Sequence, residues 1–305
     1  MLFYALKRFG LALLVAITVS FVSFMLIRVS GDPAIALAGE GASSKEIEFV
    51  RAHYGFDRPL IIQYVEWAKR ALKGDLGDSP YLNQPVTQML KERMGVTMTL
   101  GVCALAFALL LAIPLGTLAA IRPNSWIDRI ALAISVMGQA MPSFWFGLIM
   151  IIFFGVYLRW LPISGSDTWR HFIMPTIALG YYATPAIMRL IRSGMIEVLA
   201  SDHIRTARAK GLRWPSILFK HALRNAIIPV VAVAAVQLGF MLGGSIIIES
   251  VFALNGLGNL AWVSIGRSDL PVVQAIVLLL ALIYVFLTFV ADLVNAFLDP
   301  RIRNM

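Results

Sequence analysis

Charge is what this sequence has least of. Only 14% of its 305 residues are Asp, Glu, Lys or Arg, where soluble domains carry roughly 25%. Hydrophobic residues make up 59% and the mean hydropathy is +0.79. These residues fall in long blocks without charge, which excludes a soluble core and predicts an all-α integral membrane protein. Cysteine is nearly absent too. Cys103 stands alone in an apolar run, so no intrachain disulfide forms, and a lone thiol makes a poor metal site; it reads as a small residue among helices. No Gly-x-x-x-x-Gly-Lys-Ser/Thr loop is present to cradle nucleotide phosphates. The four histidines (His53, His171, His203, His221) lack a His-Glu-x-x-His partner, and no nucleophile elbow occurs. The chain therefore reads as a non-enzyme. Deep ionisable groups are missing as well: Glu249 and Asp292 stand at span ends. A proton-coupled carrier needs such groups within the membrane, so energy for any transport must come from elsewhere.

What the chain does contain is six apolar blocks, at 9–27, 94–121, 130–158, 172–188, 225–248 and 270–291. About 20 apolar residues cross a bilayer core, so six transmembrane helices are expected, with 130–158 long enough to include a re-entrant or interfacial end. The first block exceeds the apolar length of a signal peptide and is followed by no small-x-small cleavage site, so it is retained as a span. With the N-terminus cytoplasmic, the four cytoplasmic pieces hold 14 Lys and Arg, and the short outside loops hold three. That asymmetry obeys the positive-inside rule, places both termini in the cytoplasm, and accounts for the net charge of +9 without nucleic acid.

The expected organisation is a cytoplasmic start and first helix (1–29), an extracytoplasmic segment (30–93), a five-helix membrane domain (94–296) with a cytoplasmic loop at 196–224, and a tail (297–305). Within 30–93, a capped helix start is expected at Ser44 to Val50 with acids in its first turn, a turn at Gly55-Phe56-Asp57-Arg58-Pro59, and an amphipathic stretch at 60–72 whose Tyr64 and Trp67 suit a membrane interface. Pro114, Pro142, Pro175 and Pro185 lie well inside spans, where proline kinks a helix. Pro142 sits in the polar patch Gly138-Gln139-Ala140-Met141-Pro142-Ser143, which either lines a pathway or is a packing kink. Gln139, Pro142, Gln237 and Glu249 are the candidates for lining such a path; Glu249 is alternatively a side chain that snorkels to water. The stretch 189–229 carries eight Lys or Arg against Glu197 and Asp202. It reads either as a docking loop for an acidic partner or as a basic loop on lipid head groups.

At these residues the chain resembles the permease subunits of bacterial ABC importers for dipeptides, oligopeptides, glutathione and nickel chelates, in particular the first of their two membrane subunits. The likeness spans nearly the whole length. It rests on Gly31-Asp32-Pro33, Gly55-Phe56-Asp57-Arg58-Pro59 with Gln63-Tyr64, Gly74-Asp75-Leu76-Gly77, Ile204 to Leu212, His221-Ala222-Leu223-Arg224-Asn225-Ala226 with Pro229, and Asp299-Pro300-Arg301-Ile302-Arg303. The general importer signature Glu-Ala-Ala-x-x-x-Gly stands here as Arg205-Thr206-Ala207-x-x-x-Gly211, as in the peptide subgroup. The usual Phe-x-x-Pro-Gly-Leu-Gly is Phe252-Ala253-Leu254-Asn255-Gly256-Leu257-Gly258, with asparagine replacing proline. The resemblance implies a type I ABC importer permease fold in a bacterial inner membrane. It implies a homologous second permease, two cytoplasmic ATPases that use ATP and Mg while this chain binds no cofactor or metal, and an extracytoplasmic binding protein that delivers the solute. Arg205, Thr206, Ala207, Ala209, Gly211 and Leu212 would meet the ATPases, with Ala207, Ala209 and Gly211 forming a small contact face. Peptides are the expected solute. A nickel chelate is the alternative, and a membrane scaffold that only recruits a cytoplasmic partner is a further one.

Overall fold

The computed structural model describes residues 2–39 and 41–298. The matched Asp299-Pro300-Arg301-Ile302-Arg303 and most of the expected tail 297–305 lie outside the described residues. Helix α1 (Leu2–Ser30) is followed by three short helices, α2 (Pro33–Ala38), α3 (Ser44–His53) and α4 (Leu60–Leu72), and a two-stranded antiparallel hairpin, β1 (Asp78–Ser79) and β2 (Gln84–Pro85). The long helix α5 (Val86–Ile121) comes next, then α6 (Trp126–Ala140), α7 (Ser143–Met150) continuing into a π-helical stretch (Ile151–Tyr157), and α8 (Arg170–Leu199). Helix α9 (Asp202–Ala209) and a π-helical stretch (Ser216–Ala222) lead through α10 (Leu223–Ala226) to α11 (Ile228–Val251), α12 (Leu257–Gly266) and α13 (Leu270–Leu298).

The capped start falls where the spacing places it. Ser43 and Glu46 form a reciprocal capping box: Ser43 N donates to Glu46 Oε2 (2.7 Å) and Glu46 N to Ser43 Oγ (3.4 Å). That satisfies two helix-end donors at once. The Glu46 carboxyl, which accepts from Ser43 N and also from Ser43 Oγ (2.8 Å), is held below its usual pKa by those two bonds. The following turn is closed by Gln63, which donates to the carbonyls of Phe56 (3.0 Å) and Arg58 (2.7 Å). Asp32 caps α2 at Ala34 N (2.9 Å) and pairs with Arg51 (2.6 Å), tying α2 to α3.

Four helices among the described residues are long and apolar enough to cross a membrane: 4–25 in α1, then α5, α11 and 270–297 in α13. A fifth is added if α6 and α7 with its π-helical continuation count as one span, bent by 98°. The bend falls at Met141-Pro142, where proline has no N–H to continue the ladder. Helix α8 has 30 residues but carries Pro175, Pro185, Arg189 and Arg192. It is not among the apolar helices because it is shielded: α5, α6, α7 and α11 surround it. The stripe Ala104-Ala108-Ala112-Gly116-Ala120 on α5 is buried at four-residue spacing, and small residues so placed let helix backbones approach closely. A Cβ on Gly116 would meet Met188 O at 2.8 Å, and one on Gly180 would collide with the Ala104 carbonyl. The main core lies along this α5–α8 seam.

The stretch 189–229 is less of a loop than its polarity suggests. Helix α8 runs on to Leu199, so Arg189 and Arg192 are helical, and α11 starts at Ile228. Arg8 of α1 pairs with Asp292 of α13 (3.1 Å), and Phe9 meets Phe289 edge-on. Both described chain ends therefore lie at one end of the bundle, the end that carries α9.

Candidate functional site

Helix α9 stands out from that end yet is fixed to the core. Its Ile204 is fully buried and Ala207 is 7% exposed, and both belong to the main core. Their i, i+3 spacing puts them on one face. Arg205, Thr206, Ala209, Gly211 and Leu212 are exposed. Of the three residues of the expected small contact face, Ala207 turns inward within this chain, where it and Ile204 are the apolar pair that seats the helix. The outward surface retains Ala209 and Gly211. Arg205 pairs with Asp202 (3.2 Å) in solvent, which adds little stability, and Arg208 lies over the Trp214 ring at 5.4 Å.

Helix α9 ends in a Schellman turn. Gly211 N donates to Arg208 O (2.9 Å) and Leu212 N to Ala207 O (3.3 Å), the paired bonds of that motif. Gly211 has φ +73, and a Cβ there would meet nothing within 4 Å. Glycine is required for the handedness of the turn, and no neighbour within the chain crowds it.

One charged contact supports this end from inside. Arg192 of α8 donates to both carboxylate oxygens of Asp128 at the start of α6, Nε to Oδ1 (2.7 Å) and Nη2 to Oδ2 (2.6 Å). Asn124 N adds a third bond (2.8 Å). Asp128 is 2% exposed. Removing one partner of such a pair strands the other. Arg192→Met is expected to lower stability by about 3 kcal/mol, read as earlier thermal unfolding of the purified protein. Asp128→Leu combined with Arg192→Leu should recover part of that loss. Single variants that unfold with the wild type would show the pair to be idle.

The opposite end is built on Glu249, about 32 Å along α11 from Ile228 at the helical rise. Its side chain is fully buried. Thr97 Oγ1 of α5 donates to Oε1 (2.8 Å), and Asn259 N donates to Oε2 (3.1 Å). Thr97 Oγ1 also accepts from Leu257 N (2.8 Å). The carboxyl and the hydroxyl thus occupy the N-terminus of α12, where amides are unpaired and the helix dipole favours negative charge. A Cβ on Gly256 would meet Glu249 Cδ and Thr97 Oγ1 at 2.7 Å, and one on Gly258 would meet Ile246 Cα at 2.6 Å. Glycine is needed at both. Glu249 does not snorkel; it is walled in. The positive φ in this loop belongs to Ala253 (φ 48).

The hairpin is latched to the same end. Ser79 Oγ donates to Asp269, and Arg267 lies over the Tyr81 ring at 4.7 Å. Burial raises the Asp269 carboxyl above its usual pKa, partly offset by its bonds from Ser79 and Val272 N. Val86, Met89 and Leu90 of α5 pack there with Leu257, Leu260 and Val272 in a second core.

The other three path candidates lie elsewhere in the chain. Gln139 and Pro142 are exposed at the bend between α6 and α7, and Gln237 is half-buried in mid-α11, about 18 Å of helix from Glu249. Thr97, Gly256 and Gly258 escape sequence reasoning as partners of Glu249; the Gly-Leu-Gly step beside an isolated acid is a signal for the two glycines, and Thr97 has none. Among the described residues no cluster of three His, Cys, Asp or Glu could hold a metal ion.

A family profile described as "Binding-protein-dependent transport system inner membrane component" matches residues 112–304, and its N-terminal counterpart matches 1–101. The chain is 40% identical over 304 residues, 99% of each chain, to the glutathione transport system permease protein GsiC of Pectobacterium atrosepticum. It is 38% identical over the same share to GsiC of Escherichia coli strain K12. Among solved structures, an inward-facing MetNI methionine ABC transporter chain matches with TM-score 0.59 at 22% identity, covering 70% of this chain and 97% of that one.

Proposed function

The chain belongs to the family of binding-protein-dependent transport system inner membrane components and is the permease subunit of an ABC importer, and from that premise we propose that it carries small peptides of the glutathione kind across a bacterial inner membrane. The observation that carries the coupling part of this reading is α9. A short helix is presented outward at one end of an apolar bundle, seated by Ile204 and Ala207, in a sequence with no phosphate-binding loop of its own. A force applied to the exposed face of α9 is passed to the core rather than absorbed by a slack loop.

In this reading Arg205, Thr206, Ala209, Gly211 and Leu212 meet two cytoplasmic ATPases, which use ATP and Mg, and 196–224 is the coupling loop. The six spans are α1, α5, the bent pair, α8, α11 and α13, with both termini cytoplasmic and 30–93 outside. A second, homologous permease completes the path, and a binding protein delivers the solute to the end that holds Glu249 and the hairpin. The names of the full-length relatives support a peptide solute, as does the scarcity of His and Cys in the spans; a nickel chelate is the second reading.

Reconstitution in proteoliposomes with the partner subunits and binding protein tests this. Labelled glutathione is expected to accumulate only with ATP, and unlabelled dipeptides, not a nickel–histidine chelate, should compete. The permease alone should hydrolyse no ATP. Competition by the chelate alone would move the solute to the second reading, and ATP hydrolysis by the isolated chain would overturn the division of labour.

A further inference from the structure

Helix α4 has more apolar surface than its own chain covers. Tyr64, Trp67, Ala68 and Ala71 form one wall of a groove of about 580 Å3, whose other walls are Ile17 and Ser20 of α1 and Leu279 of α13. The apolar face then continues outward: Ile61 is 69% and Leu72 89% exposed. Lys69, Arg70 and Lys73 project from the other side of α4 into solvent. They stand against a single acid on the helix, Glu66, and that acid is already paired with Arg58 (2.7 Å). Tyr64 is held by Ser20 (2.7 Å) and meets Phe24 with ring centroids 5.6 Å apart, so the aromatic wall is fixed in place.

We propose that this groove holds the acyl chain of a phospholipid and that α4 lies in the headgroup layer, where the positive field of Lys69, Arg70 and Lys73 favours an anionic lipid over a neutral one. Three features choose a lipid over a protein. An amphipathic helix with one apolar face and a basic opposite face is the pattern of a helix lying in the headgroup layer. Tyr and Trp on its wall are the residues that prefer that depth. The unneutralised cations supply attraction for negative head groups. The groove is bounded by α1 and α13, the first and last helices, so a chain seated there acts as packing between them. The lipid site is independent of which solute the permease carries.

Photo-crosslinking tests the site. The permease, assembled with its partner subunits, is placed in phosphatidylcholine nanodiscs containing a small fraction of phosphatidylglycerol with a diazirine on its acyl chain. A parallel set carries the same diazirine on phosphatidylcholine. Adducts should concentrate on 13–20, 64–72 and 275–282, with the phosphatidylglycerol probe labelling about tenfold more than the neutral one. Lys69→Gln with Arg70→Gln and Lys73→Gln, all on the exposed face, should bring the two probes level. Ala71→Trp should fill the groove and suppress both. Adducts spread evenly over other exposed apolar residues such as Leu110 and Phe240, or equal labelling by the two probes on the wild type, would overturn the proposal. Neither of those outcomes depends on a variant folding.

Discussion

Glu249→Leu is expected to cost more than any other single change at the end of the bundle away from α9. The substitution removes the acceptor for Thr97 Oγ1 and Asn259 N at a site closed to water. Each buried donor left unpaired costs about 1–3 kcal/mol, and the N-terminus of α12 loses a negative partner worth up to about 2 kcal/mol in a buried setting. Leucine cannot move aside, because Gly256 and Gly258 already bring backbone against the carboxyl. Glu249→Gln keeps the shape and one acceptor oxygen, so it should lose about 1–2 kcal/mol, mainly through the missing charge. Two readouts separate the contributions: thermal unfolding of the purified protein and ATP-driven uptake in proteoliposomes. The order wild type, Gln, Leu is expected in both. Leucine matching the wild type in unfolding would mean that the buried network carries no stability.

The second large effect is at Gly211. With φ +73, a β-branched residue is strained by about 1–2 kcal/mol, and the Schellman turn that aims the chain from α9 toward Trp214 is expected to open. Gly211→Val should insert in the membrane normally and reduce coupled uptake to about a tenth or less, because the face proposed to meet the ATPases is redirected. Gly211→Asn is the informative companion. Asparagine tolerates the left-handed conformation, so it should retain most of the uptake if handedness is what matters. Open space surrounds the position within this chain. If asparagine failed as badly as valine, a partner surface pressing on residue 211 would be the cause; if valine were fully active, the turn would be irrelevant to coupling.

What the sequence made legible follows from the range of the forces involved. Membrane spans need only about 20 local apolar residues, and α1, α5, α11 and α13 are visible as blocks. The capping box at Ser43 and Glu46 and the bend at Pro142 are local chemistry too. Glu249 is different. Its hydroxyl partner, Thr97, lies 152 residues away in sequence, and no local pattern pairs a glutamate at one span end with a threonine near the start of another. The Asp128–Arg192 contact is hidden for the same reason. Ala207 is a case where the signal was present and outweighed: its spacing from Ile204 marks an inward face, while the signature motif invites an outward one. The helical start of 189–229 was obscured by charge, because a central helix shielded by its neighbours can carry arginines that a lipid-facing helix would not.

The ion pair between Arg8 and Asp292 has a consequence for how the molecule is made. Helix α1 packs chiefly on α13, so it waits through the synthesis of everything between them for its main intrachain neighbour. Contacts so far apart in sequence form late and slowly. Closure of the bundle therefore waits until α13 has been made, and a chain stopped before α13 would leave α1 open to whatever chaperone, lipid or foreign helix reaches it first.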